Sequence, residues 1–143
     1  MKKLLTALLV VLLVFALSTG SAFAAAQQDS KKSDWHYVIT RNNISYSVDM
    51  NSIKFIANNM LIFNVMFDNP DSDELIFVPT AVNASEKTYR YESVYILDRK
   101  MNNLKSKDTT PTKWFEIKEN SPISHIVNYI VDNHPDTKPD TSK

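Results

Sequence analysis

Apolar and polar positions along the chain follow two periods, and the change from one to the other marks out the elements. From Trp35 to Val82 the period is close to two, the spacing of strands whose successive side chains face opposite sides. Residues 35–40 put Trp35, Tyr37 and Ile39 on one face. Residues 44–49 put Ile44, Tyr46 and Val48 on one face and Ser45 and Ser47 on the other. Arg41-Asn42-Asn43 joins the two runs as a tight turn, because Asn tolerates left-handed backbone geometry. Asp49 to Ile53 reads as one helical turn capped by Asp49, with Ile53 beneath the sheet.

After a turn at Asn58-Asn59, residues 60–67 carry Leu61, Phe63, Val65 and Phe67 on one face. The other face (Met60, Ile62, Asn64, Met66) is nearly as apolar, which predicts a central strand covered on both sides. Residues 75–82 form the next strand. Pro79 within it has no N–H for a ladder, which puts the strand at an edge or on a bulge. Residues 88–97 switch faces midway. Tyr89 and Tyr91 oppose Arg90 and Glu92, while Val94 and Ile96 continue the Arg90 face, and a bulge near Ser93 reconciles them. Residues 98–112 are a polar, basic excursion before a strand at 114–117.

From Ser121 the period becomes helical. Ile123, Ile126, Val127, Ile130 and Val131 recur at i, i+3, i+4, i+7 and i+8 as one stripe. Ser121 can cap the first turn, and Pro122 sits where its missing N–H is harmless. A lone helix with such a stripe must cover a sheet. The chain therefore reads as α+β, an antiparallel sheet of about six strands with one C-terminal helix packed on one face.

The ends read differently. Met1-Lys2-Lys3, the apolar run from Leu4 to Leu17 and the small-x-small Ala22-Phe23-Ala24 make residues 1–24 a secretory signal peptide, cleaved after Ala24 or Ala26. Residues 25–34 are a small, polar leader and 135–143 a Pro- and charge-rich tail, both disordered by composition, so 35–134 is the single domain. No cysteine is present to accept a lipid or form a disulfide. Once the signal is cleaved the protein has no stable membrane anchor, is periplasmic or secreted to the cell surface, and must hold its fold by packing alone. Loss of Lys2 and Lys3 leaves 14 Lys+Arg against 16 Asp+Glu, a net charge of −2, which argues against nucleic acid as a partner.

Glycine narrows the chemistry further. The one glycine, Gly20, lies in the signal, so phosphate-cradling loops, dinucleotide fingerprints and nucleophile elbows cannot be built. No cofactor is expected. His36, His125 and His134 lack metal-ligand spacing. His125 falls on the polar side of the helix and His134 at its C-terminus, where a partly charged ring suits the dipole. Asp68, Asp71, Asp73 and Glu74 share a loop, but Pro70 interrupts it and no Gly completes a calcium cage, so no metal is expected either. Without Cys or a Gly-framed Ser, no catalytic residue is singled out. Only a Ser/His/Asp set drawn from distant positions would make the chain an enzyme. Tyr89, Arg90 and Tyr91 have the composition of a protein-binding hot spot, although cross-strand packing would account for the tyrosines as well.

Two stretches carry a family likeness. Tyr46-x-Val48-Asp49-x-x-Ser52-Ile53, together with Trp114-x-x-Ile117 followed by Ser121, resembles the opening and closing patterns of the bacterial surface-adhesin protein E family, and Trp35 before the first strand fits it. The resemblance implies a six-stranded antiparallel sheet with a packed C-terminal helix, compatibility with a homodimer, and a cell-envelope protein that binds host proteins. The chain departs from the pattern in lacking the lipid-anchor cysteine and a cysteine near the helix end, and no binding residue carries over. Three functions follow. The first is an exported, non-enzymatic, adhesin-like binding module for a host or envelope protein. The second is a periplasmic small-molecule binder with a pocket between sheet and helix, and the third a hydrolase. An aromatic or basic patch without a cavity favours the first, a deep apolar cavity under Ile126 and Ile130 the second, and a His in reach of a Ser and a carboxylate the third.

Overall fold

The computed structural model describes residues 32–56 and 59–137. The signal at 1–24, leader residues 25–31 and tail residues 138–143 lie outside the described residues. The strands are β1 (Trp35–Arg41), β2 (Ile44–Asp49), β3 (Lys54–Ile56), β4 (Met60–Asp68), β5 (Glu74–Asn83), β6 (Thr88–Tyr91), β7 (Val94–Asp98), β8 (Asn103–Asp108) and β9 (Phe115–Glu116). A 3₁₀ turn (Met50–Ser52) separates β2 from β3, and helix α1 (Pro122–Asn133) follows β9. All pairings are antiparallel along β1-β2-β4-β5-β6-β9, with β3 on β4 and β7 between β5 and β8.

The α+β arrangement with a C-terminal helix is as the pattern predicts, but among the described residues nine strands replace about six. Residues 88–97 divide into β6 and β7. Thr80 pairs with Tyr91 and Phe77 with Tyr95, so three residues face two, which is a bulge at Glu92-Ser93. The Glu92 N–H donates to the Pro79 carbonyl at 2.8 Å, so Pro79 sits against a bulge in a central strand and not at an edge. β3 is too short to show a period. β8 has the polar composition of a loop, and its pairing with β7 makes it a strand.

With no glycine in the domain, Asn supplies the left-handed backbone. Asn42, Asn43, Asn59, Asn102 and Asn120 have φ between 49° and 64°, joined by Lys87 at 54°.

One face of the sheet packs under α1. Val48, Leu61, Phe63, Val65 and Val82 meet Ile123, Ile126 and Ile130 in one core. The helical stripe is narrower than its sequence pattern: Val127 is half-buried and Val131 is 50% exposed. At 100° per residue Val131 stands about 140° around the helix from Ile126, outside the arc that touches the sheet. The second face of β4 is sheltered but not sealed. Met60, Ile62, Asn64 and Met66 are half-buried, with Trp35 set edge-on to Phe77 at 5.5 Å between ring centroids. A strand covered on both sides is therefore only half correct.

The Asp49-x-x-Ser52 motif has a structural role. Asp49 Oδ1 accepts from the N–H groups of Asn51 (3.1 Å) and Asp34 (2.8 Å), capping the turn and fastening the start of β1. Ser52 Oγ donates to the Asp49 carbonyl (2.7 Å) and accepts from the Asn64 N–H (2.8 Å), joining the turn to β4. The ordered unit also runs past both limits set by composition. Asp34 is bonded as above, and Pro135–Thr137 form a 3₁₀ turn in which Thr137 Oγ1 donates to the His134 carbonyl at 2.7 Å.

A tyrosine-lined cleft at the helix N-terminus

Helix α1 rests on the β1–β2 side of the sheet, so its first turn overhangs a cleft instead of closing it. The cleft holds about 210 Å³. β2 contributes Tyr46, β4 Val65 and Phe67, and β6 Tyr89 and Tyr91. Ser121, Pro122, Ile123 and Ile126 form the helical wall. Pairing explains the gathering: Tyr46 lies opposite Phe67, and Tyr89 and Tyr91 lie opposite Val82 and Thr80, all on the helix-facing side.

The rings make a continuous row. Centroids are 5.1 Å apart for Tyr46–Phe67, 6.1 Å for Phe67–Tyr91, 5.5 Å for Tyr91–Tyr89 and 5.6 Å for Tyr89–Phe115. These spacings are those of favourable edge and tilted aromatic contacts. Tyr91 is held from its backbone, which donates its N–H to Thr112 Oγ1 (3.0 Å) and accepts from the Thr112 N–H (2.9 Å).

No Asp, Glu, Lys, Arg or His lines the cleft. Burial pushes the Tyr91 hydroxyl well above the ordinary tyrosine range, and the neighbouring Tyr89 and then Tyr46 push it further. Tyr46 is raised by burial and then by Tyr89. These two phenols stay protonated at neutral pH. The helix end is largely closed to anions: Ser121 Oγ accepts from the Ser124 N–H (3.3 Å), the Ser121 N–H goes to the Lys118 carbonyl (3.2 Å), and Pro122 has no N–H.

The raised phenols link to stability. A group whose native pKa exceeds its unfolded value contributes stability below the unfolded value, which is lost as pH rises toward the native one. Urea midpoints are therefore expected to be insensitive to these phenols below about pH 9 and to fall above about pH 10, the ordinary tyrosine value. Tyr91→Phe should flatten that alkaline fall. An equal fall in the variant places the alkaline sensitivity elsewhere.

The sequence-predicted trio is split by the strand period. Tyr89 and Tyr91 enter the cleft, whereas Arg90 stands on the reverse face, its Nε donating to Glu92 Oε1 (2.8 Å) and its guanidinium 4.9 Å from the Trp114 ring centroid. Tyr46, Phe67, Ser121 and Pro122, which the sequence pattern assigns to core and cap, also line the cleft. Their signal was the register that sets Tyr46 against Phe67.

The other candidates resolve into structure. In the acidic loop Asp68 pairs with Arg99, Asp73 with Lys100 (2.8 Å) and Glu74 with Lys105. The hydrogen bond and charge of Lys100 hold the Asp73 carboxyl below the usual carboxylate range. These pairs join the loop to the β7–β8 hairpin. Among the described residues no group of three or more His, Asp or Glu is arranged to hold a metal. His36 is hydrogen-bonded to the Tyr129 hydroxyl through Nδ1 (2.8 Å) and lies 3.1 Å from Asp34 Oδ2 through Nε2. A carboxylate–histidine–hydroxyl line is the layout of an activated nucleophile. Here the hydroxyl is a phenol outside the cleft, and the line fastens α1 to β1. His125 is half-buried, not solvent-facing, and its Nε2 is buried without a hydrogen-bond partner among the described residues.

No protein-family model matches the chain, and no match is found among curated proteins or among solved structures.

Proposed function

We propose that the chain is an exported, non-enzymatic binding module of the bacterial cell envelope, adhesin-like, that engages a protein partner through the tyrosine-lined cleft. The observation that carries this reading is the convergence of Tyr46, Tyr89 and Tyr91 with Phe67 in a half-open, uncharged recess. Tyrosine is the residue of binding hot spots because its ring contributes large apolar area and its hydroxyl a directed hydrogen bond. The lining offers no general acid or base that titrates near neutral pH and no activated nucleophile, so its chemistry is that of recognition. The signal pattern of residues 1–24 supports export.

A small-molecule pocket between sheet and helix is the second reading, and the position of the cleft under Ile126 favours it. Size favours the first. At about 210 Å³ the cleft falls below the roughly 300–1,000 Å³ of small-molecule sites, and it suits one or two inserted side chains better.

The test is a photo-crosslinking phenylalanine analogue placed at Tyr89, with the same analogue at exposed Lys105 on β8 as control, in cells expressing the full chain. A discrete protein adduct is expected from position 89 and not from 105. The reading falls if position 89 gives no protein adduct or the same adducts as position 105.

A further inference from the structure

We propose that the partner segment received by the cleft is an extended, proline-containing one in the polyproline II conformation. This rests on the protein-binding reading above and narrows it to a ligand class.

The first argument is the backbone under the cleft. Every floor strand is paired on both sides: β2 by β1 and β4, β4 by β2 and β5, β5 by β4 and β6, and β6 by β5 and β9. Between β2 and β6 a peptide finds no free strand edge to extend; the free outer edge of β9 lies outside the cleft lining. Polyproline II has no internal hydrogen bonds and needs no ladder, so it can lie across paired strands.

The second is length. The cleft from Tyr46 on β2 to Tyr89 and Tyr91 on β6 crosses three strand intervals, about 14 Å at roughly 4.8 Å each. At about 3.1 Å per residue that is a polyproline II segment of roughly four to five residues, about one and a half turns.

The third is chemical matching. Proline removes the N–H of its residue and leaves the carbonyl, so a proline-rich segment presents apolar rings and acceptors. The cleft presents the complement, aromatic faces with protonated phenols, of which Tyr91 is hydrogen-bonded to Tyr89, and the apolar wall of Pro122 and Ile123. A charged peptide would find no counter-charge in the lining. A glycan would find none of the carboxylate or amide side chains that engage paired hydroxyls, since the lining holds no Asp, Glu, Asn or Gln.

The test is amide chemical-shift titration of the mature chain with three probes: decaproline, a Gly-Ser decapeptide and chitohexaose. Decaproline is expected to shift Tyr46, Phe67, Tyr89, Tyr91 and Ile123 in a saturable way, with no saturable shifts from the other two. Tyr91→Phe should weaken decaproline binding about fivefold through loss of the hydroxyl that is hydrogen-bonded to Tyr89. Phe115→Ala, at the outer end of the row, should weaken it about threefold, and Lys107→Ala on β8 should leave it unchanged. Melting curves of each variant confirm that it is folded before its affinity is compared, and Phe115→Ala answers the same question if Tyr91→Phe does not fold. Saturable binding of chitohexaose at these residues, or equal shifts from the Gly-Ser peptide, overturns the proposal. So does the absence of decaproline shifts. If decaproline fails while the cross-link from position 89 forms, the protein-binding reading stands and only the polyproline class is lost. If both fail, both are lost.

Discussion

Ile130→Ala is expected to destabilise the fold by about 2–5 kcal/mol, a large share of the roughly 5–15 kcal/mol that holds a domain folded. Ile130 is fully buried and packs in the core with Val48, Ile53 and Leu61. Truncation there removes apolar contact and leaves a cavity that the paired strands below cannot collapse to fill. Val131→Ala, one residue on and 50% exposed, should change stability by no more than about 0.5 kcal/mol. Urea melts at two protein concentrations read both effects. A wild-type midpoint for Ile130→Ala would mean that α1 does not close the core. A concentration-dependent loss at Val131 would mean that the outer face of α1 is an association surface.

The second large effect is expected from Ser52→Ala, at about 1–3 kcal/mol, the cost of leaving a half-buried backbone donor without its partner. Ser52 is 6% exposed, and its Oγ alone connects the 3₁₀ turn to the Asn64 N–H. The substitution removes little apolar area, so a loss of this size reports the orphaned N–H and not a cavity. Native-state hydrogen exchange tests the cause directly. The Asn64 amide should lose protection well beyond the global loss of stability, while that of Val78, elsewhere in the sheet, should follow the global change. Unchanged Asn64 protection would show that water replaces the hydroxyl and that the motif is dispensable. Ser106→Ala, on the exposed polar strand β8, serves as the neutral control.

These two sites also divide what could be read from what could not. Ser121 and Pro122 start α1, Asp49 caps the turn that follows β2, Asn42-Asn43 closes the first hairpin, and the bulge at Ser93 appears where the apolar face switches. Each signal lies within a few residues of its effect, because caps, turns and bulges are hydrogen-bonded to near neighbours. β8 gave no such signal. It is a strand because β7 offers it an edge and because Lys100 and Lys105 reach Asp73 and Glu74, about thirty residues earlier in the chain.

The candidate site shows the same division. Alternation alone separates Tyr89 and Tyr91 from Arg90, and that much was legible. Period two identifies two faces of a strand but does not say which one the helix covers or how far across the sheet it reaches. Those depend on the strand order, which brings Tyr46 and Phe67 beside residues that lie far along the chain, and on α1 coming to rest over β1 and β2. The sequence by itself determined the longer strands, the C-terminal helix and their caps, but not β3, β8 or the exposure of Tyr37. Only the tertiary structure decided that four aromatic residues from three strands share one open cleft, because that juxtaposition comes from long-range pairing and from where α1 lands.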